Sequence, residues 1–246
     1  MLLMGQKMAI DVAGKVTSVE FDHMIKNYTR ALVPVGSLEQ HGGHLPVATD
    51  LIIAEYITKH VAERVGSFVF PTISYGISFE HAPLFNVSLR HSTLINLTND
   101  ISLSLSRMGL KKVIYVNGHH GNSGALQYVM HYFADGGFSK DFSVYSLNYW
   151  NMMDEEFDHG GDTETSIMLA IRSDLVRMDK AEPSAIDRPK LKRTYQTLTN
   201  NPSSFPKLTG NGVWGDPRNA TASKGQELLQ QIIENTEQVI LELDDL

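Results

Sequence analysis

The chain has 246 residues, no cysteine and a formal net charge of −7. Its length fits one α/β domain over residues 1–246. The missing cysteines exclude disulfides, a cysteine nucleophile and thiolate metal ligands, and the negative charge argues against nucleic acid or an anionic membrane as partner. Met1-Leu2-Leu3-Met4-Gly5 is too short an apolar run for a signal peptide, and no stretch approaches a membrane span, so the expected location is the cytoplasm.

Ala31-Leu32-Val33-Pro34-Val35 is a short apolar run closed by Gly36 and reads as a buried strand. A helix is expected from Asp50, with Ile53, Ile57 and Val61 on one face and Gly66 as its stop. Phe68-Val69-Phe70 reads as the next strand, ended by Pro71. Residues 74–93 lack periodicity and carry Tyr75, Phe79, Glu80, His81, Phe85, Arg90 and His91, which suggests a long functional loop or two short edge strands. Leu97, Ile101, Leu105 and Met108 fit a helical stripe, with Asn99 and Asp100 as start signals and Gly109 as the stop.

Val113-Ile114-Tyr115-Val116 is a further strand, followed by Asn117-Gly118-His119-His120-Gly121-Asn122 and a helix bearing Leu126, Val129, Met130 and Phe133. Phe142–Leu147 alternates as a strand. Asp162 is placed to cap a helix running through Ile171. Residues 181–222 hold more than half of the prolines and read as an irregular excursion over the surface or across a neighbouring subunit. Leu229, Ile232, Ile233 and Ile240 mark a closing helix. Strands alternating with helices imply βαβ units and a mostly parallel sheet, whose ligands gather beyond the C-terminal strand ends.

Glu39 and His41 stand just past one such strand end, His119 just past another, and Asp50 opens the first long helix. These four groups can converge, with Glu164 as a fifth on the first turn of its own helix. Oxygen and imidazole ligands suit Zn²⁺, Mn²⁺ or Fe²⁺. One carboxylate between two histidine-bearing arms can bridge a metal pair, which lowers the pKa of water to near neutral. His81, Arg90, His120 and Trp150 are candidate substrate contacts, while His23, His60 and His131 read as surface or packing residues.

Val33-Pro34-Val35-Gly36-Ser37-Leu38-Glu39-Gln40-His41-Gly42, with His44-Leu45-Pro46 and Thr49-Asp50, resembles the signature of the creatininase (creatinine amidohydrolase) family. Val116-Asn117-Gly118-His119 with Gly121-Asn122 is similar to its second motif. His159-Gly160-Gly161-Asp162-Thr163-Glu164-Thr165-Ser166 is similar to its third, and Gly215-Asp216-Pro217 with Ala220-Thr221 and Lys224-Gly225 to its C-terminal signature. The resemblance implies a three-layer αβα fold and a homo-oligomer, commonly a hexamer. It also implies hydrolysis of a non-peptide C–N bond in a small molecule at a site with two divalent metal ions per subunit, Zn first and Mn or Fe next.

Carried over by position, Glu39 and His119 would bind one metal, His41 the other, with Asp50 bridging and His159 shuttling the proton. Creatininase itself has a metal-binding Glu where this chain has Gly121, so the resemblance gives that ligand role, and a share in catalysis, to Glu164. Gly160 replaces an alanine, and Asn86-Val87 stands where Gly-Thr is usual. The activity expected is that of an amidohydrolase on a small cyclic amide or formamide. The alternatives are a formamidopyrimidine ribonucleotide deformylase, a peptidase maturing a small ribosomal peptide, and a metal-binding scaffold without turnover.

Overall fold

A computed structural model describes residues 8–135, 141–185 and 203–244. The elements in order are β1 (Ala9–Asp11), α1 (Val12–Lys15), α2 (Ser18–Met24), β2 (Arg30–Val35), α3 (Thr49–Val65), β3 (Ser67–Val69), α4 (His91–Arg107), β4 (Lys112–Asn117), α5 (Ser123–Asp135), β5 (Ser143–Asn148), α6 (Asp162–Arg172), α7 (Ser204–Thr209) and α8 (Ala222–Glu242). The five strands pair in the order β1-β3-β2-β4-β5, and every pairing is parallel.

Side-chain alternation along the central strands divides the core in two. Ala31, Val33 and Val35 of β2 and Val113 and Tyr115 of β4 face one layer, with Leu94 and Leu105 of α4 and Leu126 and Val129 of α5. Leu32, Ile114 and Val116 face the other, with Ile53, Ile57 and Val61 of α3, Ile167 of α6 and Leu229, Ile232 and Ile240 of α8. Both sheet faces are therefore covered, which is why β2 and β4 read as unbroken apolar runs. This is the three-layer α/β arrangement expected.

Pro34 sits in a central strand, where a missing N–H normally breaks the ladder. Its carbonyl accepts from the Ile73 N–H at 2.9 Å, so its nitrogen faces the side on which β3 has already ended at Val69. After β2 the chain returns through α3 to β3 on one side, while β4 lies on the other. The crevice beyond the ends of β2 and β4 is thus the switch point where open parallel sheets bind ligands.

Three local expectations are corrected. Helix α4 begins at His91, eight residues before Asn99. Its buried stripe is Leu94, Thr98, Ser102 and Leu105, whereas Leu97 and Met108 are exposed. Both buried hydroxyls are satisfied: Ser102 Oγ lies 2.8 Å from the buried Tyr115 hydroxyl, and Thr98 Oγ1 donates to the Leu94 carbonyl at 2.8 Å. Helix α6 is capped by Asp158 rather than Asp162: the Asp158 carboxylate accepts from the N–H groups of Thr163 (2.8 Å) and Glu164 (3.1 Å).

The excursion, where described, is not a surface cover. Phe205, Val213 and Trp214 are buried, and Trp214 exchanges two backbone hydrogen bonds with His159, 3.0 and 2.7 Å long. Residues 186–202 of it lie outside the described residues.

Helix α8 closes the second layer against α6, and Gly225 sets how closely. A Cβ there would stand 1.9 Å from the Ser166 carbonyl oxygen and 2.4 Å from its carbon, both backbone atoms that cannot swing away. Gly225→Ala is expected to cost at least about 2 kcal/mol through overpacking. A fall in the denaturation midpoint measures this, and an unchanged midpoint would show that the two helices can part freely.

Candidate metal centre and active site

Four loops meet beyond the ends of β2, β4 and β5. Asn122 ties three of them together: its side-chain amide donates to the Gly36 carbonyl at 3.0 Å, and its oxygen accepts from the Ile77 N–H at 3.0 Å. The same amide lies 3.3 Å from Asn117 Oδ1, which in turn accepts from the His119 N–H at 3.1 Å. Its side chain is fully buried, so these bonds are made out of reach of competing water.

Glu39, His41, Asp50, His119 and Glu164 come together, each at most 4% exposed. Asp50 lies between the two imidazoles, with Oδ1 2.9 Å from His41 Nε2 and Oδ2 3.1 Å from His119 Nδ1. Glu39 Oε1 is 3.2 Å from the same His119 nitrogen, and Glu164 Oε2 is 3.7 Å from His41 Nε2. Outer contacts aim each ring: His41 Nδ1–H donates to the Glu39 carbonyl at 3.1 Å, and His119 Nε2–H to the Ile77 carbonyl at 2.8 Å. The nitrogens facing Asp50 are thereby the ones left for ligation. Glu164 is held by the Gly160 N–H at 2.7 Å and the Tyr149 hydroxyl at 3.2 Å.

Both carboxylate oxygens of Glu39, and Asp50 Oδ2, are buried without a hydrogen-bond partner. Buried carboxylate oxygens left so are costly, and a cation removes the cost. Among the described residues three groups of nitrogen and oxygen donors are compact enough to hold one: Glu39, Asp50 and His119; His41, His159 and Glu164; and Glu39, His81 and His159. The residues present therefore fit a divalent cation of the Zn, Mn or Fe type.

The electrostatics show how strongly the site attracts positive charge. Burial alone would lower the His41 pKa, but Asp50 and Glu164 outweigh it and raise it to about 10. Burial would raise Glu39, yet His119 and His81 hold it well below the ordinary carboxylate range. Glu164 goes the other way, to about 8, through burial and the neighbouring Asp50 and Asp158.

His159 stands above this group. Its ring lies 4.1 Å from that of His41, centre to centre, and Nε2–H donates to the Gln40 carbonyl at 2.8 Å. Nδ1 faces Glu39 Oε1 at 3.8 Å. Burial, with His41 and His81 nearby, keeps the ring well below the usual histidine range and therefore neutral. His81 also enters the site, with Nε2 3.2 Å from Glu39 Oε1 and Nδ1 accepting from the Gln40 side-chain amide at 2.9 Å.

A cavity of about 20 Å³ opens over these groups, bordered further by Glu80, His120, Phe157 and Phe205. Among the tentative substrate contacts, His81 and His120 line it. Trp150 packs 5.8 Å from the His120 ring and 4.9 Å from Phe157, behind the wall. Arg90 is exposed at the N-cap of α4 and does not line the cavity.

Gln40, Glu80, Phe157 and Phe205 escaped the sequence reading. Gln40 and Glu80 each flank a histidine singled out there, which was the available signal. Gly121 explains itself: a Cβ would sit 2.1 Å from the Ile77 carbonyl oxygen, 2.6 Å from His119 Nε2 and 3.1 Å from Glu80 Oε1. The 76–80 segment occupies the space that a side chain at 121 would need.

Comparison with known proteins gives the same direction. The chain shares 29% identity with the creatinine amidohydrolase of Pseudomonas putida, over 86% of this chain and 88% of that one. It shares 30% with the mycofactocin precursor peptide peptidase of Mycolicibacterium smegmatis, over 89% and 86%. A solved mutant creatininase of Zn-Zn type superposes with a TM-score of 0.79 at 28% identity, covering 95% of this chain and 98% of that one. The family model described as "Creatininase: Creatinine amidohydrolase" matches residues 14–240. With nearly its whole length matched, the chain belongs to the creatininase family.

Proposed function

We propose that the protein is an amidohydrolase that opens a non-peptide C–N bond in a small cyclic amide or formamide, using two divalent metal ions. The observation carrying this reading is Asp50, whose two carboxylate oxygens address two different histidines at 2.9 and 3.1 Å. Glu39 and His119 would hold one ion, His41 and Glu164 the other. When bound, such a pair supplies a Lewis acid for the carbonyl and water activated at neutral pH.

The chain's residues supply the rest. Glu39, buried and held well below the ordinary carboxylate range, stays ionised. His159 enters neutral with its Nε2–H fixed on the Gln40 carbonyl, so its bare Nδ1 would take a proton from the attacking water and pass it to the departing nitrogen. The cavity over these groups is narrow, about 20 Å³, and suits a compact reacting group.

The similarity to a peptide peptidase over most of the chain supports a second reading, cleavage near the end of a short peptide. A deformylase acting on a ribotide would want a phosphate anchor, and Arg90, the candidate for it, lies away from the cavity.

The test is a screen of chelated and Zn-reloaded protein against creatinine, formamidopyrimidine ribotides and short peptides. Turnover of a small amide that disappears on chelation and returns with metal supports the first reading. Turnover confined to peptides transfers the assignment to the second, and turnover indifferent to chelation removes both.

A further inference from the structure

Glu80 is the one acidic side chain bordering the cavity that the proposed chemistry does not use. It lies on a short 3-10 turn, Phe79–His81, and only 6% of its surface is exposed. Its closest charged neighbours among the described residues are His81 Nε2, 3.9 Å from Oε1, and His119 Nε2, 4.0 Å away. Both lie beyond hydrogen-bonding distance. The His119 nitrogen is in any case committed to the Ile77 carbonyl. The carboxylate thus keeps acceptor positions open toward the cavity it lines.

The walls beside it are flat. Phe205 lies 4.6 Å from the His81 ring and 4.9 Å from that of His159. On another wall His120 stacks on Phe157, with their planes 23° apart. Aromatic faces with one carboxylate at the edge suit a planar group whose rim carries N–H donors. The absence of a side chain at Gly121 keeps Oε1 clear, since even a Cβ there would approach it to 3.1 Å.

We propose that Glu80 is a specificity-determining residue that accepts an N–H of the substrate, selecting planar amides that bear an amine or amidine nitrogen over those bearing a carbonyl there. This rests on the amidohydrolase reading and deepens it. A site built to accept an N–H rejects an isostere that offers only an acceptor, because two acceptors then face each other.

Creatinine and 1-methylhydantoin test it. They share the five-membered ring: creatinine carries C–NH₂ beside a bare ring nitrogen, and 1-methylhydantoin carries C=O beside a ring N–H, so donor and acceptor are exchanged along that edge. Binding of each to the Zn-loaded chain is measured by calorimetry for the native protein, Glu80→Gln and Glu80→Ala, with metal content and hydrolysis assayed on the same samples. The native chain should bind creatinine at least about tenfold tighter. Glu80→Ala should bring the ratio close to one. Glu80→Gln, whose amide also donates, should move it toward the hydantoin, with metal content unchanged in both variants.

A ratio that neither variant alters, or a native chain that binds neither ring, overturns the role of Glu80. Hydrolysis separates this from the parent reading. Turnover of a ring by all three proteins with an unaltered ratio defeats the Glu80 assignment alone. Absence of both turnover and binding preference defeats the two together.

Discussion

Replacing Asp50 by alanine should strip the purified protein of its divalent metal and lower turnover by at least about a thousandfold. Losing an outer hydrogen-bond partner of a ligand typically costs ~10–100-fold in metal affinity, and a carboxylate shared by two ions must cost more. Asp50 touches both His41 and His119, so the alanine variant also removes the carboxylate that the two buried imidazoles share, leaving Glu164 and Glu39 as their remaining acidic neighbours. Asp50→Asn separates the effects. It keeps the volume and one acceptor while removing the charge, and should fold as the native chain does yet bind metal poorly. Metal analysis beside a thermal melt reads both. Native metal content in either variant would mean that Asp50 is a structural partner of the histidines and nothing more.

His159→Ala should lower kcat by about 10²–10⁴-fold, the span that a positioned acid or base usually contributes, while metal content stays native. The deficit should shrink for substrates whose leaving nitrogen departs readily without a proton, an effect no loss of packing would mimic. The geometry makes the metal assay decisive, because His159 belongs to two of the compact donor groups, one with His41 and Glu164 and one with Glu39 and His81. If the variant loses metal, the ring is a ligand and the protonation step must come from elsewhere. Its Nε2–H, fixed on the Gln40 carbonyl, leaves Nδ1 to face the site in either role, so metal content in the variant separates the two.

The sequence made the frame of this site legible for a physical reason. Strand ends and helix starts in a parallel α/β fold are marked by apolar runs and by Gly, Asp and Asn, and ligands collect where those marks coincide. Glu39, His41, Asp50 and His119 could therefore be placed together before any coordinates. Glu164 and His159 carry weaker marks: Glu164 only its place on a first turn, and His159 only the resemblance of its motif. Their meeting with the β2 loop depends on α6 being held by Asp158 and by the Trp214 strand segment, long-range contacts that leave no periodic signal.

Polar residues inside the fold leave the least trace. Thr98 and Ser102 lie off the apolar stripe read for α4, yet both are buried, Ser102 against the Tyr115 hydroxyl. Gln40 and Glu80 are buried where the excursion around Phe205 and Gly212 closes on the site, with the Gln40 amide donating to the Gly212 carbonyl at 2.9 Å. Polar residues are read as exposed by default, and only the fold reveals which are buried with a partner or with a task.

The central claim is that this constellation works as a two-ion centre, and a stoichiometric titration tests it most directly. The chelated protein receives Zn²⁺ in steps while hydrolysis of its best small amide is followed. Activity should climb until two equivalents per chain are bound and then level off, and Asp50→Asn should show no such rise. A plateau at one equivalent, or full activity in the chelated protein, would contradict the account.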